Sequence, residues 1–112
     1  QYPDVRIFVG QSLMTADQEA FDQYGFDLLI DEDTVVRSTT LRAMGQRRVA
    51  GWVRIMSRSL LDDDYVIQRA AMDALLTDRQ EGGKALSEYV AKNPQARISA
   101  LARVELERLG VR

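Results

Sequence analysis

Cysteine and histidine are both absent from this chain of 112 residues. Their absence excludes disulfides, thiolate metal sites and cysteine nucleophiles, and it removes the side chain that most often acts as a general base. A metal site would therefore have to consist of carboxylates alone. The lack of cysteine fits a reducing and an oxidising compartment equally well.

Long hydrophobic runs are also missing, because charged residues interrupt every apolar stretch. No segment reaches the roughly 18 apolar residues of a membrane span, and the first residues, QYPDVRIFVG, lack the layout of a signal peptide. We therefore expect no membrane contact and favour a cytoplasmic location. Because the chain does not start with methionine, we expect it to be a piece of a longer protein. An apolar content of 46% predicts one folded domain over residues 1–112.

The main pattern that the sequence does contain is a repeat of 31 residues. Positions 29–44 and 60–75 share five identical residues in sixteen places, namely Leu29/Leu60, Asp31/Asp62, Asp33/Asp64, Val35/Val66 and Ala43/Ala74. Other copies match more loosely. We place the repeats at about 3–32, 33–63 and 64–93, with a partial copy over 94–112. The sequence therefore predicts an array of about three and a half repeats.

Each repeat has the pattern of two helices. Asp33 and Asp64 are suited to cap the first helix of their repeats, and we expect the helix after Asp33 to end at Gly45. The second helices are predicted at about 16–30, 49–61 and 83–92, and a last helix at 95–109. Residues 80–83, QEGG, are read as a loop. A capping box at Thr15 and Gln18 would start the helix over 16–30.

Helical spacing also predicts which side chains are buried. In the first helices these are Val36, Thr40, Ala43, Met44, Ile67, Ala71, Ala74 and Leu75. In the second helices they are Trp52, Ile55, Met56, Leu60, Ala85, Leu86, Tyr89 and Val90. In the last helix we expect Leu101, Val104 and Leu109 to face inward. Ile98 and Leu106 also look apolar-facing, which would serve a terminal cap or a following repeat. If the chain is a purely structural segment of a larger protein, Ile98, Leu106 and Val111 would pack against the next element.

A family resemblance rests on the pattern D-x-x-V-R-x-x-x-x-x-A-L, which stands here as Asp33, Val36, Arg37, Ala43 and Met44, with Met44 in the place of the leucine. This pattern resembles the HEAT-like repeats of the phycobilisome-lyase type, and LSEYVAKNPQARISALA is similar to leucine-rich-repeat variant arrays. The resemblance implies a short right-handed α-solenoid, an all-α superhelix whose second helices line the concave face. It also implies a salt bridge between Arg37 and an aspartate of a neighbouring turn. Gln68 departs from the pattern, because the family has arginine there.

Two acidic triplets, within LLIDED and SLLDDD, can be interpreted in two ways. As structural elements, they lie in the turns between repeats, where Asp33 and Asp64 cap the next helices and the two clusters approach each other. As functional elements, they would hold Ca²⁺ or Mg²⁺, which needs six to eight converging oxygens. The spacing of a calcium-binding loop is absent, so we favour the structural interpretation and predict no metal site.

Charge is distributed unevenly around a net value of −2. Residues 1–33 contain eight acidic residues and one arginine, a net charge of −7. Residues 34–61 contain six arginines and no acidic residue, and we call them the arginine segment. Residues 62–112 contain nine acidic and eight basic residues, a net charge of −1. Arginine outnumbers lysine 13 to 2, which favours bidentate contacts with carboxylate or phosphate groups.

Arg54 and Arg58 are four residues apart and share the side of the second helix that faces away from its buried stripe. They could form a solvated ridge through the pairs Asp27–Arg58 and Arg54–Glu88, each worth less than about 1 kcal/mol. Alternatively, they could form a recognition patch with further arginines at its rim. The candidate partner-binding residues are Arg47, Arg48, Arg54 and Arg58.

The leading functional hypothesis is a non-catalytic protein-binding or scaffold module whose concave face binds an acidic protein or peptide surface. Binding to a nucleic-acid backbone is an alternative, because six arginines would release counterions. The net charge of −2 and the acidic first third oppose that alternative. An accessory or lyase-like role in cofactor attachment is implied by the resemblance alone. We identify no catalytic residue and no cofactor site.

Overall fold

A computed structural model of this protein describes residues 29–111. This part of the chain contains helices and no strand, which confirms the all-α prediction for these residues. The helices are α1 (Thr34–Arg47), α2 (Trp52–Ser59), α3 (Tyr65–Leu76), α4 (Glu81–Lys92) and α5 (Arg97–Arg108). The predicted helix over 16–30 and its capping box lie outside the described residues, as does most of the first repeat.

Successive helices pack in a regular order. Helix α1 packs on α3 and α3 packs on α5, while α2 packs on α4. Helix α3 contacts each of the other four described helices, whereas α1 contacts neither α4 nor α5. Among residues 29–111, this order of neighbours is consistent with a helical bundle or with a helical repeat.

The buried sides of α1 and α3 agree with the helical spacing of the sequence. On α1, Val36, Thr40, Ala43 and Met44 are all fully buried. On α3, Ile67, Ala71 and Leu75 are buried and Ala74 is half-buried. On α2 and α4, Met56, Leu60 and Leu86 are fully buried, and the other predicted core side chains pack partly exposed against them. These apolar contacts form one continuous core in the described part of the chain.

The prediction for the last helix is wrong in part. Ile98 and Leu106 face the apolar side as expected, and they are buried within this chain without a following element. Val104 is 60% exposed, contrary to its expected inward position. The buried stripe of α5 follows Ile98, Ala102 and Leu106 at intervals of four residues, which places Val104 on the opposite side of the helix. Val111 packs against the core of the same chain.

Helix α1 does not end at Gly45 but continues to Arg47. Gly45 is buried where α1 meets α3, and a Cβ atom there would lie 2.9 Å from the Cβ of Ala74. The chain turns at Arg48, whose φ of 51° is left-handed, and again at Gly51, with φ 75°. These two left-handed positions explain why α2 begins at Trp52 and not at residue 49. Gly45 therefore serves close helix packing.

The glycines of QEGG are helical, contrary to the predicted loop. Gly82 and Gly83 are buried in the first turn of α4. A Cβ atom on Gly82 would lie 2.1 Å from the carbonyl oxygen of Leu75, near the end of α3. Glycine at this position therefore allows α4 to begin directly against the backbone of α3.

We predict that Gly82→Ala lowers the free energy of unfolding by about 3 kcal/mol, because a methyl group cannot fit against a backbone oxygen. Gly51→Ala is the matched control, since its Cβ would meet nothing within 4 Å. Its left-handed backbone predicts a smaller loss of about 1 kcal/mol. Urea denaturation followed by circular dichroism measures both losses. Equal stabilities of Gly82→Ala and the wild type would contradict the proposed backbone contact.

Candidate functional site

The two acidic turns have the same hydrogen bonds in successive repeats. Asp33 caps α1, and its Oδ1 accepts hydrogen bonds from the amides of Val35 at 2.8 Å and Val36 at 3.3 Å. Asp64 caps α3 in the same way through the amide of Val66 at 2.8 Å. Both predicted caps are confirmed.

The first acid of each triplet supports the turn before the cap. Asp31 Oδ1 accepts a hydrogen bond from the amide of Asp33 at 2.8 Å, and Asp62 Oδ1 accepts one from the amide of Asp64 at 2.8 Å. The outer acids of each triplet are therefore bound to backbone N–H groups. In the described part of the chain, no group of three or more acidic side chains is arranged to hold a metal ion.

The two turns are also joined to each other. The Thr34 hydroxyl, at the start of α1, donates a hydrogen bond of 2.8 Å to Asp64 Oδ2, at the start of α3. This hydrogen bond is the largest cause that lowers the pKa of Asp64, and the Val66 amide and the charge of Arg37 act in the same direction. The two clusters therefore approach each other, as the repeat predicts.

Arg37 does not form the expected salt bridge with an aspartate of residues 29–111. Its Nη1 instead donates hydrogen bonds to the carbonyl oxygens of Asp31, at 2.9 Å, and Glu32, at 3.1 Å. In the next repeat, Gln68 Nε2 donates to the carbonyl oxygen of Asp62 at 2.7 Å. The turn needs a donor for its carbonyl oxygens, and the neutral amide of glutamine supplies one as well as a guanidinium does.

The candidate arginines at the end of α1 are engaged within the chain. Arg48 stacks on the ring of Trp52, with 4.1 Å from its guanidinium carbon to the ring centroid. Its Nη1 also donates a hydrogen bond of 3.0 Å to the Gly45 carbonyl oxygen. Arg47 is half-buried in the last turn of α1. Trp52, predicted as core, is half-buried and provides the surface for this cation–π contact.

Arg54 and Arg58 are exposed on α2, and we call this pair the arginine ridge. Neither side chain forms an ion pair with another described residue. The predicted pair between Arg54 and Glu88 is therefore not formed, and Asp27, the predicted partner of Arg58, lies outside the described residues. Exposed pairs of this kind gain little energy in water, and within residues 29–111 no acidic side chain holds either arginine.

A groove between α1 and α3 was not predicted. It has a volume of about 570 Å³ and is lined by Thr39, Arg42, Gly45, Gln46, Arg48, Asp73, Ala74 and Thr77. Arg42 reaches across it to Asp73, with 3.3 Å between Nη1 and Oδ2, and Arg69 contacts the other oxygen of Asp73 at 3.4 Å. Arg42 and Asp73 occupy equivalent positions of successive repeats. Opposite charges 31 residues apart are the sequence signal that could have revealed this pair.

Comparisons with protein-family models, curated proteins and solved structures find no match to this chain. Over residues 29–111, no helix has the combined length and apolar character that crossing a lipid bilayer requires.

The lowered pKa of Asp64 predicts a pH-dependent contribution to stability. A carboxyl group whose pKa is lower in the folded state stabilises the fold at neutral pH, and this contribution is lost as the pH falls through the folded pKa. Asp64→Asn keeps an oxygen for the cap but removes the charge. We expect its melting temperature to lie below that of the wild type at pH 7, and the gap to shrink below about pH 4.

Asp63→Asn is the matched control, because it removes an exposed charge from the same triplet without changing the cap. Its melting temperature should stay close to that of the wild type at every pH. Thermal denaturation from pH 7 to about pH 2 covers the range in which carboxylates titrate. A gap for Asp64→Asn that does not depend on pH would contradict a role for the ionised carboxylate.

Proposed function

We propose that this protein is a non-catalytic protein-binding module and that the arginine ridge binds an acidic protein or peptide surface. The observation that carries the proposal is the exposure of Arg54 and Arg58 without an ion pair among the described residues. The other arginines of their segment contact Asp73, Trp52 or backbone carbonyl oxygens, or are half-buried. The ridge is therefore the part of the arginine segment that has charge to offer to a partner.

We further propose that the helices form a right-handed HEAT-like solenoid with α2 and α4 on its concave face. The order of helix contacts supports this arrangement, because first helices pack on first helices and α2 packs on α4. The atom-by-atom recurrence of the capped turns supports it as well. In such an array, the ridge on α2 would lie on the concave surface.

The chemistry of the ridge favours carboxylates as ligands. Residues four apart on a helix are about 6 Å apart along its axis, so Arg54 and Arg58 can each form a fork with one of two neighbouring carboxylates. Arg47 and Arg48 lie at the rim, and the stacking of Arg48 on Trp52 orients its guanidinium. Exposed pairs contribute less than about 1 kcal/mol each, so binding should combine several pairs and weaken with added salt.

We predict that Arg54→Glu/Arg58→Glu weakens binding of a fluorescein-labelled peptide of twelve glutamates by at least about tenfold, because like charges then face each other. Fluorescence anisotropy at low salt measures the affinity. The control variant is Arg79→Glu/Arg103→Glu, which makes the same change of charge beside and on α5, a helix that does not contact α2.

The control variant should bind the peptide within about threefold of the wild type, since its charges lie away from the ridge. Equal losses in the two variants would show that net charge alone drives binding, and they would refute the ridge as a site. A labelled DNA duplex is measured in parallel. Tighter binding of the duplex that depends on Arg54 and Arg58 would favour the nucleic-acid alternative instead.

A further inference from the structure

Four exposed aliphatic side chains recur with the 31-residue repeat. Ile30 is 82% exposed and its equivalent, Leu61, is 67% exposed. Val35 and Val66, also equivalent, are 50% and 49% exposed. Single exposed aliphatic residues are common on protein surfaces. Here, two exposed aliphatic residues of one turn have exposed aliphatic equivalents in the adjacent turn, so both turns present the same kind of apolar surface.

The fold itself does not require aliphatic residues at these positions. Thirty-one residues after Leu61 and Val66 stand Lys92 and Arg97, which are exposed and charged. Helix α5 begins after this third turn as α1 and α3 begin after theirs. The helix starts of residues 29–111 therefore do not explain the apolar character of the first two turns.

The middle acids of the triplets lie between these aliphatic residues. Glu32 and Asp63 are exposed, and neither side chain takes part in a cap or an ion pair with a described residue. The hydrogen bond between Thr34 and Asp64 holds the two turns side by side. We call the resulting surface the turn edge; it comprises Ile30, Glu32, Val35, Leu61, Asp63 and Val66.

The turn edge is acidic. Glu32 and Asp63 supply two exposed carboxylates, the four other acids of the triplets border them, and Arg37 is the basic side chain bound to these turns in the described part of the chain. Arg97, which stacks on Tyr65 with 4.0 Å to the ring centroid, marks the end of the acidic surface. A partner for the turn edge must therefore present apolar side chains together with cations.

The exposed side of α5 in this same chain has that chemistry. Val104 is the remaining large exposed aliphatic residue of residues 29–111. It lies on one side of α5 with the exposed residues Arg97 and Arg108, at helical intervals of seven and four, and with the exposed Glu107, three residues further on. Arg108 pairs with Glu105, and the side chain of Arg108 remains 71% exposed. The arginine ridge, by contrast, has no large exposed aliphatic neighbour on α2.

We propose that the turn edge of one copy binds the exposed side of α5 of a second copy. Val104 contacts Leu61 or Ile30, and Arg108 pairs with Asp63 or Glu32. Val104 and Arg108 are one helical turn, about 6 Å, apart, which suits a neighbouring aliphatic and acidic residue of one turn. The two surfaces differ, so the association is head to tail and a dimer keeps one free surface of each kind, one on each copy. This contact is independent of the arginine ridge.

Two variants that each destroy one of the two surfaces test this arrangement. Ile30→Asp/Leu61→Asp disrupts the turn edge, and Val104→Glu disrupts α5. In sedimentation velocity from about 10 µM to about 1 mM, the wild type should form growing oligomers and each variant alone should stay monomeric, because self-association depends on protomer concentration. An equal mixture of the two variants should form a dimer and nothing larger, since only one intact pair of surfaces remains.

Circular dichroism checks that each variant is folded. If Ile30→Asp/Leu61→Asp is unfolded, Ile30→Gln/Leu61→Gln replaces it, and if Val104→Glu is unfolded, Val104→Gln replaces it. Arg54→Glu/Arg58→Glu should associate like the wild type. A wild type that stays monomeric up to about 1 mM would overturn the proposal, because specific contacts of useful strength associate below that concentration. A mixture of the two variants that stays monomeric would also overturn the proposal. Loss of association in Arg54→Glu/Arg58→Glu would overturn it as well, and it would assign the contact to the ridge.

Discussion

Helix α3 contacts every other described helix, so the positions of these helices are set by how closely each one can approach α3. Small side chains make the contacts possible: Ala70 and Ala71 are fully buried, and Gly45 of α1 lies directly against Ala74. Gly82 likewise lets α4 start against the backbone of α3. With the apolar sides turned toward α3, the charged residues of the neighbouring helices are left on the outer surfaces, where the two proposed contacts lie.

The acidic triplets illustrate how one short motif serves structure and surface together. The outer acids hold the backbone: Asp31 and Asp33 bind amides before and within α1, and Asp64 binds both an amide and the hydroxyl of Thr34. The middle acid of each triplet is left exposed between aliphatic side chains, so the same turn that starts a helix also presents a surface of defined chemistry.

The arginine segment is divided in a comparable way. Arg37 satisfies turn carbonyl oxygens, Arg42 pairs with Asp73, and Arg48 stacks on Trp52. In a count of charges along the sequence, these arginines and those of the ridge each contribute one positive charge. A partner, however, can bind only guanidinium groups that are exposed and have no contact within the described residues. The positive charge of the segment is therefore less available than its composition indicates, and this weakens the case for a long nucleic-acid contact.

The helix starts after Asp33 and Asp64 and the buried sides of α1 and α3 can be predicted from the sequence, because caps and helical periodicity depend on residues close together in the chain. The packing roles of Gly45 and Gly82 and the exposure of Val104 follow instead from the way the helices pack together. That packing also decides which arginines are engaged. Those outcomes depend on distances between helices, and residue spacing along one helix carries no information about what the neighbouring helix places opposite it.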